Sequence, residues 1–335
     1  MDRRTALGVG LVLVSAAGFG SGTVLAAPIY ATGMDWLGLV AWRFLFGAAL
    51  AWTWVLLSPG RRSAARGLSR RQLAIALGLG TLYTGNAGTY YAGLETVPAA
   101  LAGVLVYTYP VIVAVLSLRW ATRLPGRRPW IALALAIVGV VLALGGIDVS
   151  TAPPISGLLL VLLSPVIYSV WIILSARLSG ERPDRIATEA GVAAEAGSAG
   201  DAAVATAVMM TATAAVFALL GTLTGRPIDP RAVPADAWPG LVAIGFVASF
   251  LAIQTFYAGT RRIGAAQAAL VSTVEPVYIV VLAGIVLDQR LTPLQLAGAA
   301  LILLGVILAQ TAPRPRGAPE PATPLEAELE REAAR

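Results

Sequence analysis

What most constrains the fold of this chain is the length of its apolar runs. Ten apolar blocks, near 7–28, 36–57, 73–94, 99–118, 130–146, 155–176, 203–224, 238–258, 265–287 and 294–311, are separated by charges and Pro/Gly clusters. A run of about twenty apolar residues is what a helix needs to cross the ~30 Å hydrocarbon core of a bilayer. A lone strand there would leave its backbone groups unpaired, so a helix is expected for every block. Composition agrees: 13% of the residues are charged and 57% are hydrophobic, whereas soluble domains carry about a quarter charged residues. The expected fold is all-α and integral to the membrane, with ten transmembrane helices.

Arginine placement supports that count and orients it. All 24 basic residues are arginine. With both termini cytoplasmic, twenty of them fall on the inner side, including the runs Arg61–Arg71 and Arg119–Arg128. Only Arg226, Arg231 and Arg290 fall outside, and Arg43 lies within a span. This is the bias of the positive-inside rule, and one miscounted helix would invert it. The expected location is the cell (plasma) membrane, multi-pass, with the lipid bilayer as partner. The sequence pI near 10.0 would also suit nucleic acid. The arginines flank apolar spans instead, so no nucleic-acid partner is expected. The opening Met1-Asp2-Arg3-Arg4 before Leu7–Leu25 has the form of a leader peptide. It is read as the first span, because it has a counterpart in the second half.

The chain has no cysteine and no histidine, and its basic residues include no lysine. Thiolate ligands, the usual general base and Schiff-base chemistry are thereby removed. No metal, no cofactor and no enzymatic activity are expected. An integral membrane enzyme and a non-transporting scaffold are the alternatives to transport.

An internal repeat carries the functional reading. Offset by 166 residues, Tyr91-Ala92-Gly93 aligns with Tyr257-Ala258-Gly259, Ala99-Ala100 with Ala265-Ala266, Pro110-Val111 with Pro276-Val277, and Gly139-Val140 with Gly305-Val306. The first span aligns with the sixth at 149, placing Phe19 on Tyr168; the difference matches the extra length of an Ala/Gly/acidic linker at 179–201. The expected organisation is a first five-helix repeat at 1–150, a second at 151–311, and a cytoplasmic tail at 312–335. An odd number of spans per copy makes the repeats inverted, an arrangement that recurs in secondary transporters with the substrate site between the halves.

The run TVEPVYIVVLAGIVLDQRLTPLQLAGAALILLGVILA, together with Arg43-Phe44 and Phe19-Gly20-Ser21, resembles EamA-type members of the drug/metabolite transporter superfamily. The resemblance covers residues from about 7 to 311. Phe19 stands where the family often has Trp, and Asp288-Gln289 where it often has Gly-Glu. The family implies export or exchange of small polar metabolites, such as amino acids and related compounds, by alternating access.

Two charges lie well inside spans, Arg43 and Glu275. At ~1.5 Å per residue, Arg43 lies ~10 Å below the outer end of its span and Glu275 ~16 Å from the inner end of its own. Intramembrane charges usually face a cavity or a partner. Glu275 is expected to be a proton-coupling site or an anchor for a substrate ammonium, against a structural carboxylate. Arg43 is expected to be structural or to snorkel outward. Pro110 and Pro276 interrupt the middle of their spans and are read as paired hinges, against static kinks. Tyr83, Asn86 and Tyr90 share one helix face. With Tyr107, Tyr109, Tyr168 and Trp171 they form an expected wall of the substrate path. Gln254, Ser272 and Thr273 extend it; interhelical packing is the competing reading. The Gly18–Gly22 run is read as close helix packing, not as a phosphate loop. A homodimer is compatible with the sequence.

Overall fold

The computed structural model describes residues 3–120, 127–145, 152–178, 202–226, 228–263 and 265–310. The expected linker at 179–201 and tail at 312–335 lie outside them. The described residues form helices and turns without a strand. In order they are α1 (Arg3–Ala31), α2 (Trp36–Leu56), α3 (Pro59–Arg66), α4 (Arg70–Leu94), α5 (Ala99–Val106), α6 (Tyr109–Trp120), α7 (Arg128–Gly145) and α8 (Ile155–Leu178). After the linker come α9 (Ala202–Thr224), α10 (Trp238–Ile244), a π-helical segment (Gly245–Leu251) and α11 (Ala252–Ile263). The chain closes with α12 (Ala265–Ser272), α13 (Glu275–Val286) and α14 (Pro293–Gln310).

Every apolar block of the sequence is helical. Seven stretches, 3–31, 36–56, 99–116, 155–175, 203–224, 235–260 and 267–286, are long and apolar enough to cross a membrane. Two more, 130–144 and 293–309, are shorter apolar helices. α4 has 25 residues, a sufficient length, but it spends Thr, Asn and Tyr on an inward face. The helix α3 was not expected from the sequence. It is a one-sided Arg-bearing turn of chain started by Pro59, with Arg61 lying 4.6 Å from the centroid of the Trp54 ring.

Local chemistry sets the helix ends. Asp35 caps α2 by accepting from the Gly38 amide at 2.7 Å. Ser69 and Gln72 form a reciprocal capping box at the start of α4. The span at 99–116 breaks at Tyr107–Thr108, and that at 267–286 breaks at Thr273–Val274, just before Pro110 and Pro276. In both breaks the amides shift to i−3 bonding: Tyr107 and Thr108 to Val104 and Leu105, Thr273 and Val274 to Leu270 and Val271. A proline cannot donate to the carbonyl four residues back, and tightening the preceding turn is the common response.

The two halves are related by contacts that repeat with the partners exchanged. A Cβ at Gly93 would meet Val161 Cγ2 at 2.5 Å and the Gly157 carbonyl at 3.0 Å. A Cβ at Gly259 would meet Val12 Cγ2 at 2.6 Å and the Gly8 carbonyl at 2.9 Å. Likewise Gly139 closes on Gly298 and Ile302, while Gly305 closes on Ala132 and Ala136. These are the offsets 149 and 166 read off the sequence. A third pair, Gly80 on Met209 and Ala212 against Gly245 on Arg43 and Phe46, needs an offset of 165 for its glycines. One residue is therefore inserted between Gly245 and Tyr257, and the π segment is where the extra residue is absorbed. α4, its counterpart, is continuous.

The Gly18–Gly22 run packs as expected. Cβ atoms at Gly18, Gly20 and Gly22 would meet Ala252 Cβ at 2.9 Å, Tyr278 Cδ1 at 2.8 Å and Ala248 Cβ at 2.6 Å. α1 thereby seats directly on the second half.

Candidate functional site

A cavity of about 190 Å³ lies between the halves. It is smaller than the ~300–1,000 Å³ of sites that hold drug-sized ligands. One wall is aromatic. Trp171, 1% exposed, donates from Nε1 to the Leu79 carbonyl at 2.9 Å. Tyr168 stacks on it at 5.7 Å between centroids, Tyr83 meets it edge-on at 5.4 Å, and Tyr109 meets Tyr168 edge-on at 4.9 Å. Each such pair contributes about 0.5–1.5 kcal/mol beyond burial of area. Asn86, on the same face of α4, accepts at Oδ1 from the Ser164 hydroxyl at 2.7 Å.

The opposite wall is charged. Arg43, 7% exposed, donates from Nε to Ser249 Oγ at 2.9 Å, a residue of the π segment. Its guanidinium carbon lies 4.8 Å from the centroid of the Tyr91 ring and 5.2 Å from that of Phe44. Glu275 borders the same cavity. Pro276 frees the Ser272 carbonyl from its helical bond, and the Tyr107 hydroxyl donates to that carbonyl while lying 3.3 Å from Glu275 Oε2. The break in the second half is thus satisfied by a side chain from the break in the first. The Tyr90 hydroxyl pairs with Thr23 Oγ1 at 3.0 Å between α4 and α1.

Of the expected path residues, Tyr83, Asn86, Tyr90, Tyr107, Tyr109, Tyr168, Trp171, Ser272 and Glu275 border the cavity. Gln254 and Thr273 do not. Thr273 Oγ1 donates to the Leu270 carbonyl at 2.7 Å, which the tightened turn before Pro276 brings within reach. Gln254 is half-buried, and its Nε2 has no hydrogen-bond partner. Helical spacing alone could not separate these two from their cavity-facing neighbours, because the extra π residue rotates everything after it. Arg43 is likewise corrected. It does not snorkel to an interface; it is buried on Ser249 and faces the cavity. Sequence reading also missed Thr23, Ser164, Thr206 and Ser249, small hydroxyls whose placement depends on helix rotation.

Near the expected outer end, α2 and the ends of α4 and α9 are tied together. Arg226 pairs with Asp35 at 3.3 Å, and Glu95 accepts from the Trp36 amide at 2.6 Å. Loss of water around the Glu95 carboxyl raises its pKa above the ordinary carboxylate value, and the Trp36 amide partly offsets that rise.

The family model described as "EamA-like transporter family" matches this chain twice, over residues 6–145 and 155–311. The chain belongs to the EamA-like transporter family. It is a multi-pass membrane protein of a transporter family, with the two-repeat architecture of EamA proteins. No curated protein matches it. A solved structure titled "Crystal structure of protein" is 24% identical over 93% of this chain and 99% of its own, with a TM-score of 0.54. That likeness concerns the fold. The EamA reading accounts for the Asp288 position as well. Asp288 has φ +50°, a conformation that favours glycine, and glycine is what the family often carries there.

Proposed function

We propose that this EamA-like chain is a secondary transporter, an exporter or exchanger, of small polar metabolites, working by alternating access through the central cavity. In this reading all ten segments cross the cell membrane, as inverted repeats 1–150 and 151–311 with both termini cytoplasmic. The observation that carries it is the cavity itself. It is bordered by both repeats, it contains both intramembrane charges, and it lies against the two proline breaks. Exchanged contacts between the halves give a physical reason for alternation: two near-equivalent packings can interconvert with little change in free energy. Pro110 and Pro276 are the hinges, because the turns before them already lack full helical bonding.

The test is flux in proteoliposomes. Counterflow exchange of a metabolite pool is expected with the purified chain and absent from empty liposomes; no exchange of any solute would sink the reading. Glu275→Gln separates its two possible roles. Loss of pH-gradient-driven accumulation with retained counterflow marks proton coupling, whereas weakened binding marks a substrate ammonium. Orientation is read independently. The native chain has no cysteine, so Ser63→Cys is expected to label only from the cytoplasm and Ala235→Cys only from outside.

A further inference from the structure

The two walls of the cavity are images of each other in position and opposites in chemistry. The offset of 166 places Met209 at the image of Arg43, Tyr109 at that of Glu275, and Tyr83 at that of Ser249, and all six border the cavity. Two departures from the repeat meet at one contact. The first is arginine where the image has methionine. The second is the extra residue of the π segment, which carries the Ser249 that Arg43 bonds. π segments inside α-helices recur at functional sites, since each sacrifices regular bonding.

Arg43 is a buried cation without a carboxylate. Among the described residues the ion pairs are Arg226–Asp35 and Arg290–Asp288, and neither Glu275 nor any other described carboxylate pairs with Arg43. A charge in hydrocarbon costs at least ~2.5–3.5 kcal/mol, so a purely structural arginine would be expected to hold an acidic partner. Here Nε is taken by Ser249, and Tyr91 and Phe44 flank the group. The terminal amino groups are the donors left to meet a solute. A planar fork of this kind matches a carboxylate bidentately.

We propose that Arg43 is the anion subsite of this cavity, and that the solute is a small compound with one carboxylate and a flat apolar body. The carboxylate sits on the guanidinium; the body lies against the wall of Tyr83, Tyr168 and Trp171. Glu275 on the same cavity disfavours a second anionic group. This rests on the reading of the cavity as the substrate path.

The experiment measures equilibrium binding to the purified full chain, using 3-phenylpropionate and its uncharged isostere 3-phenylpropanamide. The carboxylate is expected to bind at least about tenfold tighter, the low end for a charge-assisted bond to a desolvated cation. Arg43→Met, which installs the residue of the image position, should erase the ratio; Arg43→Lys should keep part of it. Tyr168→Leu should weaken both probes together and leave the ratio intact. Equal binding of the two probes by the native chain, no binding of either, or an unchanged ratio in Arg43→Met would overturn the proposal. The first two outcomes need no variant to fold. Counterflow of other solutes would then still stand, so failure here is distinct from failure of the transport reading. Tight carboxylate binding without any flux would overturn the transport reading alone.

Discussion

The seam between α7 and α14 and the walls of the cavity obey the same pseudo-symmetry under opposite demands. In the seam, Gly139 meets Gly298 and Ile302, and Gly305 meets Ala132 and Ala136. Both copies need small residues because backbone touches backbone, and the repeat is kept nearly intact. Around the cavity the same operation turns Arg43 into Met209 and Glu275 into Tyr109. Packing without a ligand rewards equivalence, since both faces solve one steric problem. A cavity that holds an asymmetric solute requires the halves to differ. Where the repeat is broken is therefore a better guide to chemistry than where it is kept.

Four substitutions sharpen that contrast, and the largest effect is expected in the aromatic wall. Trp171→Ala removes a fully buried indole and its bond to the Leu79 carbonyl, and should cost about 3–5 kcal/mol of stability. The check is thermal unfolding in detergent. A loss under about 1 kcal/mol would mean that the wall collapses freely and does not define the cavity.

Next comes the seam. A Cβ at Gly298 would sit 2.5 Å from the Gly139 carbonyl oxygen and 2.6 Å from the Ala143 nitrogen, both backbone atoms that cannot step aside. Gly298→Val is expected to cost about 2–3 kcal/mol. At its image, Ala132→Gly should cost about 1 kcal/mol or less. Equal effects would break the picture of a seam set by backbone contact.

Tyr107→Phe tests the cross-repeat bond at the proline break. It strips the donor from the freed Ser272 carbonyl and from the neighbourhood of Glu275, with an expected cost of about 1–2 kcal/mol. Tyr109→Phe, its neighbour on the aromatic wall, is the control. A silent Tyr107→Phe would show that water or a rearranged backbone satisfies that carbonyl equally well.

The smallest effect concerns the turn that delivers α14 to the seam. Asp288 holds φ +50° just past α13, where the Gln289 amide donates back to the Ala283 carbonyl at 3.2 Å in a helix-ending loop. Asp288→Gly should stabilise by about 0.5–1 kcal/mol, since glycine adopts this conformation without a Cβ clash. Gln289 must stay, because its Oε1 accepts from the Ala100 amide at 3.1 Å across the repeats. A destabilised Asp288→Gly would show that the exposed Asp288–Arg290 pair matters more than the backbone.

The sequence by itself determined the helices, the repeat and the two breaks. Hydrophobic length is a local property, the offsets of 166 and 149 are arithmetic on residue identities, and proline removes its own donor wherever it stands. It also singled out Arg43 and Glu275, because charge within an apolar run is visible without coordinates. Only the tertiary structure decided that the two charges share one cavity without pairing, and that Arg43 rests on Ser249, 206 residues away. It alone moved Gln254 and Thr273 off the cavity wall, and it alone located the inserted residue. The reason is rotational. One extra residue in a helix turns every following side chain by about 100°, and no local pattern records which helix absorbed it.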